Sequence, residues 1–170
     1  MEYLYAPWRG TYLTRDNPLK QPTTAKSCVF CDMINGNDSE NLILKRGKHA
    51  FILLNGYPYN PGHLLVVPYQ HAASLELVSK EVRQEMMEMA SSSIPLLQRT
   101  IHNNGTNVGI NLGGKAAGGT IPEHLHIHVL PRWEGDTNFL PTLSQTKQLS
   151  ADLMVIYKML KPVYDELVIE

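Results

Sequence analysis

His124-Leu125-His126-Ile127-His128-Val129-Leu130 is the stretch that decides how the chain is read. Side chains of an extended strand alternate between its two faces. On that period His124, His126 and His128 share one face, and Leu125, Ile127 and Val129 take the other. The apolar face anchors a strand in a core, and the opposite face becomes a row of imidazoles. Imidazole exchanges its proton near neutral pH, attacks electrophiles and ligates metals. Three of the chain's seven histidines stand in this one row, too many for packing to explain. A shared metal ion and a covalent nucleophile both suit histidines two apart, and the row alone leaves the two open.

Working outward, Gly113 to Thr120 holds four glycines and two alanines and leads directly into the row. Small side chains let backbone N–H groups approach a phosphate. Because a strand follows, the loop matches neither Gly-rich nucleotide fingerprint built on a strand–loop–helix unit. Before it, Asn107 to Leu112 alternates like a strand. His49 to Leu54 and His63 to Pro68 are nearly continuous apolar runs, separated by the turn formers of Asn55 to Gly62. They read as neighbouring antiparallel strands covered on both faces. From Ser74 to Ile101 the spacing is helical, through Leu75, Val78, Val82, Met86 and Met89, with Pro95 expected to interrupt or kink the helix. Its end is expected by Asn103-Asn104-Gly105. Ser150 is expected to cap a final helix that buries Leu153, Ile156, Tyr157 and Leu160 and that Pro162 bends or ends. Residues 28–36 read as a helical turn closed by Asn35-Gly36. The result is a single α+β domain over residues 1–170 with an antiparallel sheet. Residues 1–27 form an arm carrying Tyr3, Tyr5, Trp8 and Tyr12, residues 28–133 the core, and residues 134–170 a C-terminal extension.

A length of 170 residues suits one core. A net charge of −1 with no Lys/Arg block gives no basis for binding nucleic-acid backbone. No apolar run reaches the roughly 20 residues a membrane helix needs, and Met1 to Arg9 lacks the pattern of a signal peptide. A soluble cytoplasmic protein is expected. The two cysteines form Cys28-x-x-Cys31. The polar, Pro-containing stretch before them shows no strand, which argues against a thioredoxin-type redox pair. Half of a zinc site is the better reading, and histidines are the natural suppliers of two further ligands.

The H-φ-H-φ-H-φ-φ order of residues 124–130 resembles the histidine-triad nucleotide-binding family. Cys28-Val29-Phe30-Cys31, Asn55, Pro61-Gly62-His63-Leu64-Leu65-Val66-Val67-Pro68 and His71 stand in the order that family shows, across about residues 28–133. Tyr5-Ala6-Pro7-Trp8-Arg9, Pro131-Arg132-Trp133, Gly135-Asp136 and Asn138-Phe139 resemble its bacterial diadenosine-tetraphosphate phosphorylase and adenylyltransferase branch. The resemblance implies a five-stranded antiparallel sheet with flanking helices, paired into a homodimer. It implies that His126 attacks an α-phosphate to form a nucleotidyl-histidine. His128 and His63 would assist as donors, with the backbone of Gly118, Gly119 and Thr120. Asn55 would take the ribose hydroxyls, Val29, Phe30, Met33 and Leu53 the base, and Asn111 and Trp133 would complete the substrate-binding set. Many relatives carry Gln-Ser or Gln-Thr where this chain has Thr120-Ile121, which shifts the hydroxyl donor by one residue.

Cys28, Cys31, His71 and His124 would form a closed structural zinc site that clamps the N-terminal segment to the catalytic strand and takes no part in chemistry. The implied reaction converts diadenosine tetraphosphate and phosphate into ADP and ATP. With water as acceptor, the same intermediate would make a hydrolase of nucleotides or nucleoside phosphoramidates. Magnesium would help only by neutralising polyphosphate charge, since no carboxylate cluster is evident to hold it. Two further rivals are a metallohydrolase whose triad holds a catalytic ion and a nucleotide-binding module without turnover.

Overall fold

The two apolar runs form the middle of a five-stranded sheet. In the computed structural model, which describes residues 28–117, 121–137, 151–169 and the single positions 143 and 149, β2 (Ala50–Leu54) and β3 (Leu64–Pro68) are buried at every residue. They pair with β1 (Ile43–Arg46), β4 (Gly105–Ile110) and β5 (Ile127–Arg132) in the order β1-β2-β3-β5-β4, every neighbour antiparallel. The period of two sorts the side chains. Ala50, Ile52, Leu54 and Val66 join the larger core under α2 (Lys80–Ile101) and α3 (Leu153–Asp165). Phe51, Leu53, Leu65 and Val67 meet Phe30 of α1 (Val29–Ile34) on the other face. Cover on both faces explains why these strands read as unbroken apolar runs.

Several boundaries differ from the sequence reading. β1 escaped it, because Leu42-Ile43-Leu44 is too short an apolar run before Lys45-Arg46 to show a period. The histidine strand begins only at Ile127, so His124 and His126 lie just ahead of it. The Leu125 N–H bonds the Ala72 carbonyl (2.6 Å) in place of a ladder partner. The helix expected from Ser74 is split: a 3-10 turn spans Leu75–Leu77, and α2 starts after Ser79, whose hydroxyl accepts the Val82 N–H. Pro95 neither interrupts nor ends α2, and α3 continues past Pro162 to Asp165. Both prolines, and Ser91 and Lys158 whose carbonyls lose a partner, are exposed. Water can take up those carbonyls while the buried stripes keep their packing. Asp152, rather than Ser150, caps α3 by accepting the Met154 N–H at 2.8 Å. Ser150, the 1–27 arm, Gly118, Gly119, Thr120, Asn138 and Phe139 lie outside the described residues.

The two sheet edges are unequal. On β1, Tyr157 and Lys161 of α3 donate to the Ile43 and Leu44 carbonyls, each at 3.2 Å. β4 is mostly exposed along its length, from Gly105 to Gly109. No helix among the described residues is long and apolar enough to cross a membrane.

Candidate active site and metal centre

The loop between β2 and β3 aims His63 at the row. Gly62 has φ +75°, and a Cβ there would come within 2.6 Å of the Ile101 side chain, so this turn requires glycine. His63 is buried, and its Nδ1 receives the Tyr59 backbone N–H at 3.2 Å and the Asn55 amide at 3.2 Å. A backbone N–H can only donate, so Nδ1 is an acceptor and the ring proton sits on Nε2. That Nε2 lies 2.9 Å from Nδ1 of His128. His128 must therefore accept there and carry its own proton on Nε2, which faces the Asn111 amide at 3.3 Å. Asn111 then presents its oxygen, an orientation assigned from the network. The chain Tyr59 → His63 → His128 thus yields a neutral imidazole with an outward N–H donor. Burial pushes His128 down to about 4 from its ordinary 6.5, and the neighbouring His126 adds to the shift.

His126 is the complement. Its Nδ1 lies 2.8 Å from the His124 carbonyl oxygen. A carbonyl only accepts, so Nδ1 holds the proton and Nε2 keeps a lone pair. Burial pushes this imidazole's pKa down as well, which keeps the lone pair available at neutral pH. The His126 and His128 rings stand 4.8 Å apart at 66°. A nucleophilic nitrogen beside an N–H donor can attack an electrophilic centre while hydrogen bonding the charge that develops on it.

The low pKa of His128 makes a pH prediction. Between about 6.5 and about 4 the unfolded chain takes up a proton that the folded chain refuses. This group's contribution to stability is therefore present above pH 6.5 and is lost as pH falls through that window. Below about 4 a protonated His128 can no longer accept from His63. A ¹⁵N-histidine titration should give His128 a midpoint near 4; a midpoint at the ordinary value would contradict the assigned network.

At the start of the row, His124 is set for metal. Its Nε2–H donates to the Pro68 carbonyl at 2.9 Å. The Nδ1 lone pair then faces Cys28 Sγ at 3.2 Å and Cys31 Sγ at 3.6 Å, and His71 Nδ1 lies 3.3 Å from Cys31 Sγ. All four ligand atoms lie within 4.8 Å of one another. A tetrahedral ion with sulfur at about 2.3 Å and nitrogen at about 2.0 Å spaces its S···N edges by about 3.5 Å. The separations of 3.2, 3.3 and 3.6 Å fit that figure, and the four side chains can hold a metal ion. By accepting the His124 Nε2–H, the Pro68 carbonyl fixes the tautomer whose Nδ1 can bind the ion.

The remaining expected site residues divide. Phe30 keeps only 2% of its surface, and its ring packs on His124 (5.4 Å, 83°) and His126 (5.3 Å). Leu53 is buried in the same cluster, Met33 packs half-buried against it, and Val29 is exposed. The Asn55 oxygen accepts the Tyr57 N–H at 2.9 Å, so its amide shapes the turn as well as holding His63. Trp133 is not brought to the row. It follows β5, five residues and roughly 16 Å beyond His128, with its indole N–H on the His102 carbonyl at 3.1 Å. Tyr59 was missed: besides its backbone donor, its half-exposed ring lies over His63 (4.7 Å) and is stacked on His128 (6.0 Å, 17°). A cavity of about 1000 Å³ between β1, the start of α2 and Leu167–Ile169 includes none of these groups; its Glu85 caps the His49 and Ala50 N–H groups.

Residues 36–135 match the HIT domain, well over half of the chain. The chain belongs to the HIT family. This HIT protein is 38% identical over 149 residues to an AP-4-A phosphorylase of Mycobacterium tuberculosis, covering 86% of this chain and 76% of that one. An adenylylsulfatase of Arabidopsis thaliana is 31% identical over 125 residues, 71% of this chain and 60% of the relative. Among solved structures, a Zn-bound histidine triad family protein from Mycobacterium smegmatis superposes with a TM-score of 0.67 at 27% identity. That match covers 82% of this chain and 94% of the other. The five-stranded antiparallel sheet with its helices is the HIT-like fold.

Proposed function

We infer that this HIT protein is a nucleotidyltransferase that splits the α,β-phosphoanhydride of a dinucleoside polyphosphate through a nucleotidyl-His126 intermediate. The observation that carries the reading is the pair of contacts His63 Nε2 to His128 Nδ1 at 2.9 Å and His126 Nδ1 to the His124 carbonyl at 2.8 Å, from which a lone pair on His126 Nε2 beside an N–H on His128 Nε2 follows. In the first step Nε2 of His126 forms a bond to the α-phosphorus. The bond from that phosphorus to the bridging oxygen breaks, and the leaving nucleotide departs with the electron pair. His126 need not lose a proton first, because its only proton stays on Nδ1 against the His124 carbonyl. The positive charge left on the ring faces that carbonyl dipole, and the His128 N–H stabilises charge on the phosphoryl oxygens. In the second step an oxygen of inorganic phosphate attacks the same phosphorus, the P–N bond breaks, and His126 regains its lone pair. From diadenosine tetraphosphate the products are ATP, then ADP.

The phosphorylase relative supports phosphate as acceptor, whereas the adenylylsulfatase relative favours keeping water as a second reading. Product analysis with and without phosphate separates them. We expect ADP plus ATP, with turnover that depends on phosphate. Equal rates and AMP plus ATP under both conditions would make the protein a hydrolase.

The Cys28, Cys31, His71 and His124 set is proposed to hold zinc in a structural role. Two thiolates and two imidazoles suit that ion, and four protein ligands leave no open position for a reacting water. It is the only group of three or more metal-ligating side chains among the described residues. We also propose that a second copy of the chain pairs along the open edge of β4, since α3 blocks the β1 edge. Sedimentation should then give twice the chain mass.

A further inference from the structure

The proposed nucleophile lies outside the sheet that carries it. The β3–β5 ladder pairs Leu64, Leu65 and Val66 with Val129, His128 and Ile127 and stops there, and β4 also reaches no further than Ile127. His126 therefore has no ladder partner, although a reacting atom must be held to a fraction of an ångström. Leu125 packs in the larger core, the Pro68 carbonyl accepts from His124, and the His128 ring touches that of His126. The three remaining contacts on the segment each come from a metal-ligating residue or its direct neighbour. The carbonyl of His124, a ligand, accepts the His126 Nδ1–H at 2.8 Å. The carbonyl of Ala72, next to the ligand His71, accepts the Leu125 N–H at 2.6 Å. The ring of Phe30, between the two thiols in sequence, packs on both His124 and His126 and is itself almost wholly buried.

We propose that the metal centre, acting through His124, Ala72 and Phe30, is the positioning device of His126 and takes over where the sheet ladder ends. Phe30 is on this account a positioning residue behind the imidazole rather than a surface for the base. The metal performs no chemistry; loading it draws Cys28, Cys31, His71 and His124 together and so fixes which nitrogen of His126 is bare and where it points. The proposal rests on His126 as nucleophile for its functional meaning, but its geometric content can be read without substrate.

The test is ¹⁵N-imidazole NMR of the full chain loaded with one equivalent of zinc and after chelation, joined to kinetics of Phe30→Leu. In the zinc form His126 should show a single Nδ1–H tautomer. After chelation its signals should move toward a tautomer mixture, while His63 and His128, held by Tyr59 and the sheet, keep theirs. Phe30→Leu should retain its zinc, loosen the His126 tautomer, and lower kcat about 10- to 100-fold with KM within about twofold. Unchanged His126 signals in a folded, metal-free chain would overturn the proposal. So would a Phe30→Leu variant with raised KM and intact kcat, the result expected of a base contact. Should chelation unfold the chain, the Phe30→Leu measurements decide alone. A wild-type protein with no nucleotidyl transfer would sink the functional reading but leave the NMR result to judge the positioning.

Discussion

Replacing His126 by alanine is expected to lower turnover of diadenosine tetraphosphate by on the order of 10⁴-fold or more, with nucleotide affinity changed only a few-fold. The size of the loss follows from the hydrogen-bond accounting. His63 Nδ1 already receives the Tyr59 N–H, His128 Nδ1 receives the His63 proton, and His124 Nδ1 faces the two sulfurs. No neighbouring imidazole can lend its lone pair when His126 is removed. Calorimetry with a non-hydrolysable analogue reads the binding, and initial rates read the turnover. Activity within tenfold of the wild type would mean that another group, or a water, attacks the phosphate.

Cys28→Ser should abolish tight zinc binding and lower Tm by about 10 °C or more. Metal affinity at a structural site is folding free energy, of order 10 kcal/mol in small zinc modules. A chain of this length shifts by roughly 2–4 °C per kcal/mol. Only part of the binding energy is expected to appear here, because the larger core under α2 and α3 does not depend on the site. Loss of the ion would instead release α1 and the smaller cluster of Phe30, Phe51, Leu65 and Val67. Metal analysis should find one zinc per wild-type chain and almost none in the variant. A native, metal-free preparation with an unchanged Tm would refute the assignment.

Much of the frame was legible from periodicity. Two unbroken apolar runs marked β2 and β3 because both sheet faces are covered, and the alternating row announced β5, although of its imidazoles only His128 lies within that strand. What escaped has physical causes. β1 is four residues long, half of them charged, so no period can show. Pro95 and Pro162 carry a helix-breaking prior, yet each sits on a solvent face where the lost hydrogen bond costs little. The C-x-x-C suggested a half site, but His71 and His124 are 40 and 93 residues from Cys31, and only the fold brings them together. The groups that set the tautomers are the least legible of all. The His124 and Pro68 carbonyls and the Tyr59 N–H act through backbone atoms that any residue would supply.

The account turns on whether a bond between phosphorus and nitrogen forms at one side chain. Rapid alkaline quench of the protein during turnover of diadenosine tetraphosphate without phosphate, which spares the acid-labile P–N bond, followed by peptide mass spectrometry, observes that bond directly. The account predicts an AMP adduct on the peptide holding residues 124–128, localised to His126 and chased away when phosphate is added before the quench. Active protein that carries no nucleotide on this peptide, or carries it on another residue, contradicts the account.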